Sequence, residues 1–357
     1  MLSNSISKCN FNKYSVKTRY LSFIFFIAIL LFSAYSCSIL RKSSEDATKS
    51  SSSVEKYIEY DDTRKTGWSS DFGIADIVSS RDGKIQKAYY YKARSAGKRP
   101  LIVSLHTWSG NYTQKDTLSV LCRLNDINYI HPDFRGPNWT EEACCSELAL
   151  ADMDDAIDYA IKHMNPDVSR IYVIGASGGG YATLCMFMKS KHKIKKFSSW
   201  VPISDLETWY HESSERKASY AEHILKCTGS VDNTLNVKAA RDRSPVLWPT
   251  PVKKLNNSSL HIYAGVYDGI QGSVPITHSL NFYNKILSDL QIKDKSKYVS
   301  PEEEAFLLEH RKPLADFGRI ADRDICLLKE YGNLKLVIFD GKHEMLPVYA
   351  FNSLLED

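Results

Sequence analysis

The sequence predicts an α/β protein, a mostly parallel sheet with helices on both faces and a helical lid insertion. Three observations lead there. Short segments apolar throughout alternate with helical segments, as suits parallel strands covered on both faces. The segment "ELALADMDDAIDYAIKHM" (147–164) sets Leu148, Ala151, Ala156, Ile157, Ala160, Ile161 and Met164 along one helical face. A glycine-rich turn, "GASGGG", stands where a strand hands over to a helix.

The 357 residues are 43% hydrophobic and 25% charged, an ordinary globular composition. Lys8, Lys13, Lys17 and Arg19 supply the whole net charge of +4. Removing them from 46 basic residues leaves 42, against 42 acidic ones, so no nucleic-acid footprint is expected. These cations precede an apolar run, "YLSFIFFIAILLFSAYSCSIL" (20–40). That layout predicts an export signal over 1–37, and the run is also long enough to stay as a membrane anchor. "FSAYSCS" resembles a lipoprotein signal with Cys37 as the lipidated residue, although Tyr35 departs from the usual small residue. Each reading exports the rest of the chain, to the periplasm or the outer cell surface, with secretion as the alternative. Residues 38–60, with "KSSSS" at 49–53, read as a solvated tether, and 61–357 as one catalytic domain.

The elements then follow in order. "FGIADIV" and "KIQKAYYYKA" form a hairpin turning at Asp82-Gly83. Strands follow at "PLIVSLH" (100–106), "INYIHPD" (127–133), "RIYVIGA" (170–176), "FSSWVPIS" (197–204), "SLHIYAGV" (259–266) and "LKLVIFD" (334–340). Asp152, Asp154, Asp155 and Asp158 read as a solvated helix face and not as a metal cluster. Residues 206–245 are long for a connection and read as a lid. About 289–330 reads as a second, charged insertion. An oxidising compartment permits a bridge from Cys144 or Cys145 to Cys227, while Cys185 reads as a buried free thiol. No cofactor or metal is expected: neither CxxC nor HExxH occurs.

The glycine turn holds G-x-S-x-G at Gly175, Ser177 and Gly179. A phosphate-cradling loop needs a Lys after the glycines, and Tyr181 stands there instead. A nucleophile elbow fits, because a strand precedes the motif and an apolar helical run follows; a structural turn is the bland alternative. Serine needs a base, oriented by a carboxylate, in the chain order Ser, acid, His. Among ten histidines, His343 in "FDGKHEM" falls just after the last strand, at the carboxyl edge where such sheets bind ligands. Asp268 in "YAGVYDG" is preferred as the acid, with Asp205 in "VPISDL" the alternative or a helix N-cap. Oxyanion donors are expected from Gly178 N–H and from Thr107 or Trp108 in "LHTWSG"; His106 shapes that loop.

With these motifs in hand the chain resembles an α/β-hydrolase of the prolyl-oligopeptidase-like group. "HPDFRGPN" with the acidic helix, "SRIYVIGASGGG", "YAGVYDG" and "DGKHEM" match its motif order over roughly 85–355. The resemblance implies a Ser177–Asp268–His343 triad. The peptidase members carry an N-terminal β-propeller for which this segment has no room, and that difference favours an exported serine esterase. By analogy its substrate is a methyl or acyl ester on a polysaccharide. Trp108, Trp139, Trp209 and Tyr210 then stack on sugars and Arg135 meets a uronate carboxylate, with core or lid packing as their alternative. The same triad also serves a small peptidase or acyl-aminopeptidase, and a non-catalytic binding protein is the third reading.

Overall fold

The computed structural model describes residues 67–356, all of which fall within one compact unit. The expected signal, Cys37 and the tether lie outside the described residues.

Ten strands form one sheet in the order β1-β2-β4-β3-β5-β6-β7-β10-β9-β8. β1 (Gly73–Val78) and β2 (Ile85–Tyr91) make the antiparallel hairpin, with Gly83 at φ +76° in its turn. β2 also runs antiparallel to β4 (Asn128–Pro132). From there β4, β3 (Leu101–Leu105), β5 (Ile171–Ala176), β6 (Lys196–Trp200), β7 (Ser259–Gly265) and β10 (Leu334–Phe339) are parallel. The central strands β3, β4, β5 and β6 are buried at every position, which suits the apolar runs of β3 and β5 and leaves Asn128, His131, Ser198 and Ser199 as buried polar residues in β4 and β6.

Alternation along each strand feeds two cores. Leu101, Val103 and Leu105 join one with α2 (Glu147–Met164), α3 (Gly178–Lys189) and α8 (Thr277–Asp289). Ile102, Tyr172, Ile174 and Val337 join the other with α1 (Thr117–Leu124) and α10 (Pro347–Leu355). Helices therefore cover both faces, and the architecture is the α/β-hydrolase fold.

The lid insertion is helical. α4 (Leu206–Glu215), α5 (Tyr220–Cys227), α6 (Val237–Asp242) and α7 (Val252–Leu255) occupy the β6–β7 connection. The insertion thus extends past the expected end at 245. The second insertion contains α9 (Pro301–His310), opened by a Ser300/Glu303 capping box, and two strands. β9 (Arg323–Tyr331) extends the sheet antiparallel to β10, and β8 (Arg319–Ile320) pairs antiparallel with β9 at the edge. The second, charged insertion at about 289–330 therefore also contributes strands to the sheet. "RDICLLKEY" buries Ile325, Cys326 and Leu327 but leaves Asp324, Glu330 and Tyr331 exposed, so its charge hid a strand.

The acidic helix also departs from expectation. Asp152, Asp154 and Asp155 are buried and not a solvated face. Asp152 accepts from Arg135, Asp154 from Ser190 Oγ and the Lys191 N–H, and Asp155 from the Ser80 N–H. Asp158 alone of the four is exposed, paired with Lys191. Among the described residues no metal-holding cluster occurs, and no helix is long and apolar enough to cross a membrane. The six described cysteines are buried free thiols, so the structure contains no bridge from Cys144 or Cys145 to Cys227.

Candidate active site

Strand β5 ends at Ala176 and helix α3 starts at Gly178, which leaves Ser177 alone to turn the chain. It does so at φ +58°, ψ −119°, a conformation that costs a non-glycine residue about 1–3 kcal/mol. Ser177 occupies the N-cap position, yet its side chain makes no capping hydrogen bond. A serine at an N-cap normally accepts from the first-turn N–H groups. Here the hydroxyl is left free of that role. Backbone crowding explains the glycines two residues to either side. A Cβ on Gly175 would lie 2.8 Å from Gly179 Cα, and one on Gly179 would lie 3.0 Å from His106 O.

Asp268 follows β7 and His343 follows β10, both parallel to β5, so all three residues emerge at the same sheet edge. His343 Nδ1 donates to Asp268 Oδ2 at 2.7 Å. Asp268 is 1% exposed, and its Oδ1 accepts from the N–H groups of Gly269 (2.9 Å) and Val274 (3.0 Å). These bonds orient the carboxylate and leave Oδ2 for the imidazole. Gly272 closes the arrangement: a Cβ there would meet Asp268 Oδ1 and lie 2.5 Å from His343 Cβ. Asp205, the alternative acid, caps α4 by accepting from the Thr208 N–H at 3.1 Å.

The expected oxyanion donors converge. A Cβ on Gly178 would collide with Trp108 N and Cα, so the backbone of the 107–108 loop rests against the start of α3. The Thr107 N–H donates to Gln114 Oε1 at 2.9 Å and is occupied. No acceptor for the Trp108 N–H occurs among the described residues, which favours Trp108 over Thr107. Sequence reasoning missed Gln114, because nothing in a polar residue seven positions downstream signals that it holds this loop. His106 does shape the loop. It is buried, stacks on Phe134 at 3.7 Å, and places Nδ1 2.9 Å from Thr107 O and Nε2 2.8 Å from Asp133 O.

The lid packs directly on this loop. Trp108 meets Trp209 of α4 edge-to-face at 4.7 Å, and its Nε1–H donates to His223 Nδ1 of α5 at 3.3 Å. Trp209 Nε1–H and the Arg216 guanidinium both donate to Ser273 O in the acid loop.

Those contacts sort the expected substrate residues. Trp108 and Trp209 are buried in the lid interface and offer no open face for a sugar. Trp139, 4.9 Å from His223, and Tyr210 keep partial exposure. Arg135 does not meet a substrate carboxylate. Its side chain is 2% exposed, and its guanidinium donates to Asp152 (2.5 Å), Asp82 (2.8 Å), Glu142 (3.2 Å) and Ser79 (3.0 Å). The Arg135 bond and charge hold the Asp82 carboxyl well below the usual carboxylate range.

Fold and site together define a serine hydrolase of the α/β-hydrolase class. The model of the prolyl oligopeptidase family (Peptidase_S9) matches residues 119–297, half of the chain, and the chain belongs to that family. Among solved structures it is similar to the acylaminoacyl peptidase of Pyrococcus horikoshii at 17% identity and a TM-score of 0.52. That match covers 82% of this chain and 41% of the other. An acylaminoacyl peptidase in complex with Z-Gly-Gly-Phe-chloromethyl ketone matches at 22% identity and a TM-score of 0.48, over 62% and 36% of the two chains. A puromycin-hydrolyzing peptidase of Mycobacterium tuberculosis matches at 15% identity and 0.48, over 79% and 37%. The chain therefore spans roughly two fifths of the length of these proteins. No curated protein sequence matches it significantly.

Proposed function

We propose that this protein is a serine peptidase that cleaves amide bonds in aminoacyl or short peptidyl substrates. The observation that carries the reading is the 2.7 Å bond between His343 Nδ1 and Asp268 Oδ2, at the edge where Ser177 stands uncapped. Membership of the prolyl oligopeptidase family favours an amide over a polysaccharide ester. The expectation of a carbohydrate esterase gains no support from the family or from the similar structures, which are peptidases.

In this mechanism Ser177 Oγ attacks the substrate carbonyl while His343 Nε2 takes its proton. Asp268 accepts the Nδ1–H and stabilises the imidazolium. Negative charge develops on the carbonyl oxygen, against the N–H groups of Trp108 and Gly178 and the positive end of α3. The imidazolium then protonates the departing amine. Water, deprotonated by the same histidine, releases the acyl group and regenerates Ser177.

The test uses the full chain and its Ser177→Ala variant. Substrates are N-acetyl-aminoacyl p-nitroanilides, p-nitrophenyl acetate and methyl-esterified pectin, with fluorophosphonate labelling alongside. Anilide turnover and labelling, both abolished by Ser177→Ala, are expected. Pectin de-esterification without anilide turnover would replace the peptidase reading with the esterase one. Absence of labelling and of all turnover would remove the serine mechanism.

A further inference from the structure

At the amino edge of the sheet, opposite the triad, a cleft of about 580 Å³ opens beside three strand starts. Ser169 lines it two residues before β5, Lys195 one residue before β6 and Ser258 one residue before β7. Its titratable lining is Lys191, His192, Lys193, Lys195, Lys253 and Lys254, with no Asp or Glu among the lining residues. Beyond residue 36 the chain carries as many acidic as basic residues. Five lysines around one concavity are therefore a local departure from a balanced surface, and their mutual repulsion falls when an anion enters.

Lys254 and Lys191 have side-chain partners that the fold uses. Lys254 Nζ donates to Ser190 O (2.7 Å) and Met186 O (3.5 Å), at the C-terminal end of α3 where carbonyl groups concentrate negative potential. Lys191 pairs with Asp158 at 2.8 Å. Lys193, between α3 and β6, and Lys253, on α7, are exposed and join no ion pair among the described residues. Neither fold nor catalysis uses them. Burial pushes the Lys254 amine down to about 8 against the opposing charge of nearby Asp154, so a bound anion would draw a proton onto it.

We propose that this cleft binds a compact ligand bearing phosphate groups. Its volume lies within the range of small-molecule sites. Ammonium groups act as point donors to tetrahedral oxyanions, and Asn257 with the two serines adds neutral donors. No Phe, Tyr or Trp lines the cleft, and His192 is the sole ring among its lining residues, so a nucleobase finds little stacking surface there. The oxyanion comes either from a soluble polyphosphate ester or from a phospholipid headgroup.

The full chain is titrated with sodium tripolyphosphate by calorimetry at about 0.15 M salt. In parallel it is co-sedimented with phosphatidic acid vesicles and with phosphatidylcholine vesicles. Saturable binding to tripolyphosphate assigns a soluble ligand, and binding to phosphatidic acid vesicles alone assigns a headgroup. In either arm Lys193→Gln/Lys253→Gln should weaken binding roughly tenfold or more. A Lys295→Gln/Lys297→Gln control of the same charge change should bind as the parent does. Proton uptake near pH 8, read from titrations in buffers of different ionisation heat, should vanish in Lys254→Met. Unchanged affinity in the first pair, equal loss in the control, or no binding to either probe at about 1 mM would overturn the proposal. None of these readouts depends on the peptidase activity.

Discussion

Replacing Gly178 with alanine adds one methyl group and tests the oxyanion site without touching the triad. That carbon would lie 2.9 Å from Thr107 C and closer still to Trp108 N and Cα. Carbon atoms pack at about 3.5–4.0 Å, so the 107–108 backbone must retreat by roughly 1 Å. All three obstructing atoms are main chain, and no side-chain rotation relieves them. The retreat carries the Trp108 N–H away from the oxyanion, and losing one such donor costs about 10²–10³ in kcat, roughly 2.7–4 kcal/mol. Overpacking costs about 1–3 kcal/mol of stability, partly offset because alanine is a better helix former than glycine by roughly 1 kcal/mol. The prediction is a protein that unfolds within a few degrees of the parent, with KM little changed and kcat on an aminoacyl anilide down about a hundredfold or more. Fluorophosphonate labelling of Ser177 should slow in parallel. A folded Gly178→Ala variant with kcat within about threefold of the parent would refute the assignment of these two N–H groups.

Asp268→Asn should lower kcat by about 10⁴-fold with little change in KM, because an amide in place of the Oδ2 acceptor favours the wrong imidazole tautomer; steady-state kinetics reads this directly. At His106, asparagine places its amide nitrogen near the Nδ1 position and glutamine near Nε2. His106→Asn should therefore keep the peptide between Thr107 and Trp108 oriented and retain most of kcat, while His106→Gln should lose roughly tenfold or more; equal losses would count against that orienting role. Arg135→Met leaves Asp152 buried without its partner and should cost about 3–5 kcal/mol in urea unfolding. Burial pushes His131 down to about 4, and His106 down as well. Their folded-state values lie below the unfolded value near 6.5, so the unfolded chain binds the extra protons. The stability they contribute is complete above about pH 6.5 and declines as pH falls toward 4. Thermal midpoints measured across that interval should drop, and His131→Asn should flatten the slope.

The parallel strands were legible because burial on both faces removes polar residues, and "PLIVSLH" or "RIYVIGA" admits little else. The position of Ser177, Asp268 and His343 at one sheet edge was legible for a related reason: the carboxyl ends of parallel strands gather there. What escaped depends on distant partners. Asp152, Asp154 and Asp155 look like a wet helix face until Arg135, Ser190 and Ser80 arrive from other elements. Arg135 resembles a substrate anchor until Asp152, Asp82 and Glu142 saturate it. Strand β9 carries its charges at its two ends, around a short buried centre at Ile325–Leu327, and so brief an apolar run does not separate a strand from a loop. The lid contacts of Trp108 span more than a hundred residues, beyond any local pattern.

In the proposed mechanism Trp108 would give a backbone N–H to the oxyanion while its indole packs on the lid, so admission and readiness would be one mechanical event. Any shift of α4 and α5 that widens the entrance also removes the packing that steadies that N–H. A molecule too bulky for the lid to settle over would meet a serine without its full electrostatic support. Selection by size would then appear as slow turnover and not as weak binding, a form of induced fit that spares folded proteins passing near an uncapped nucleophile.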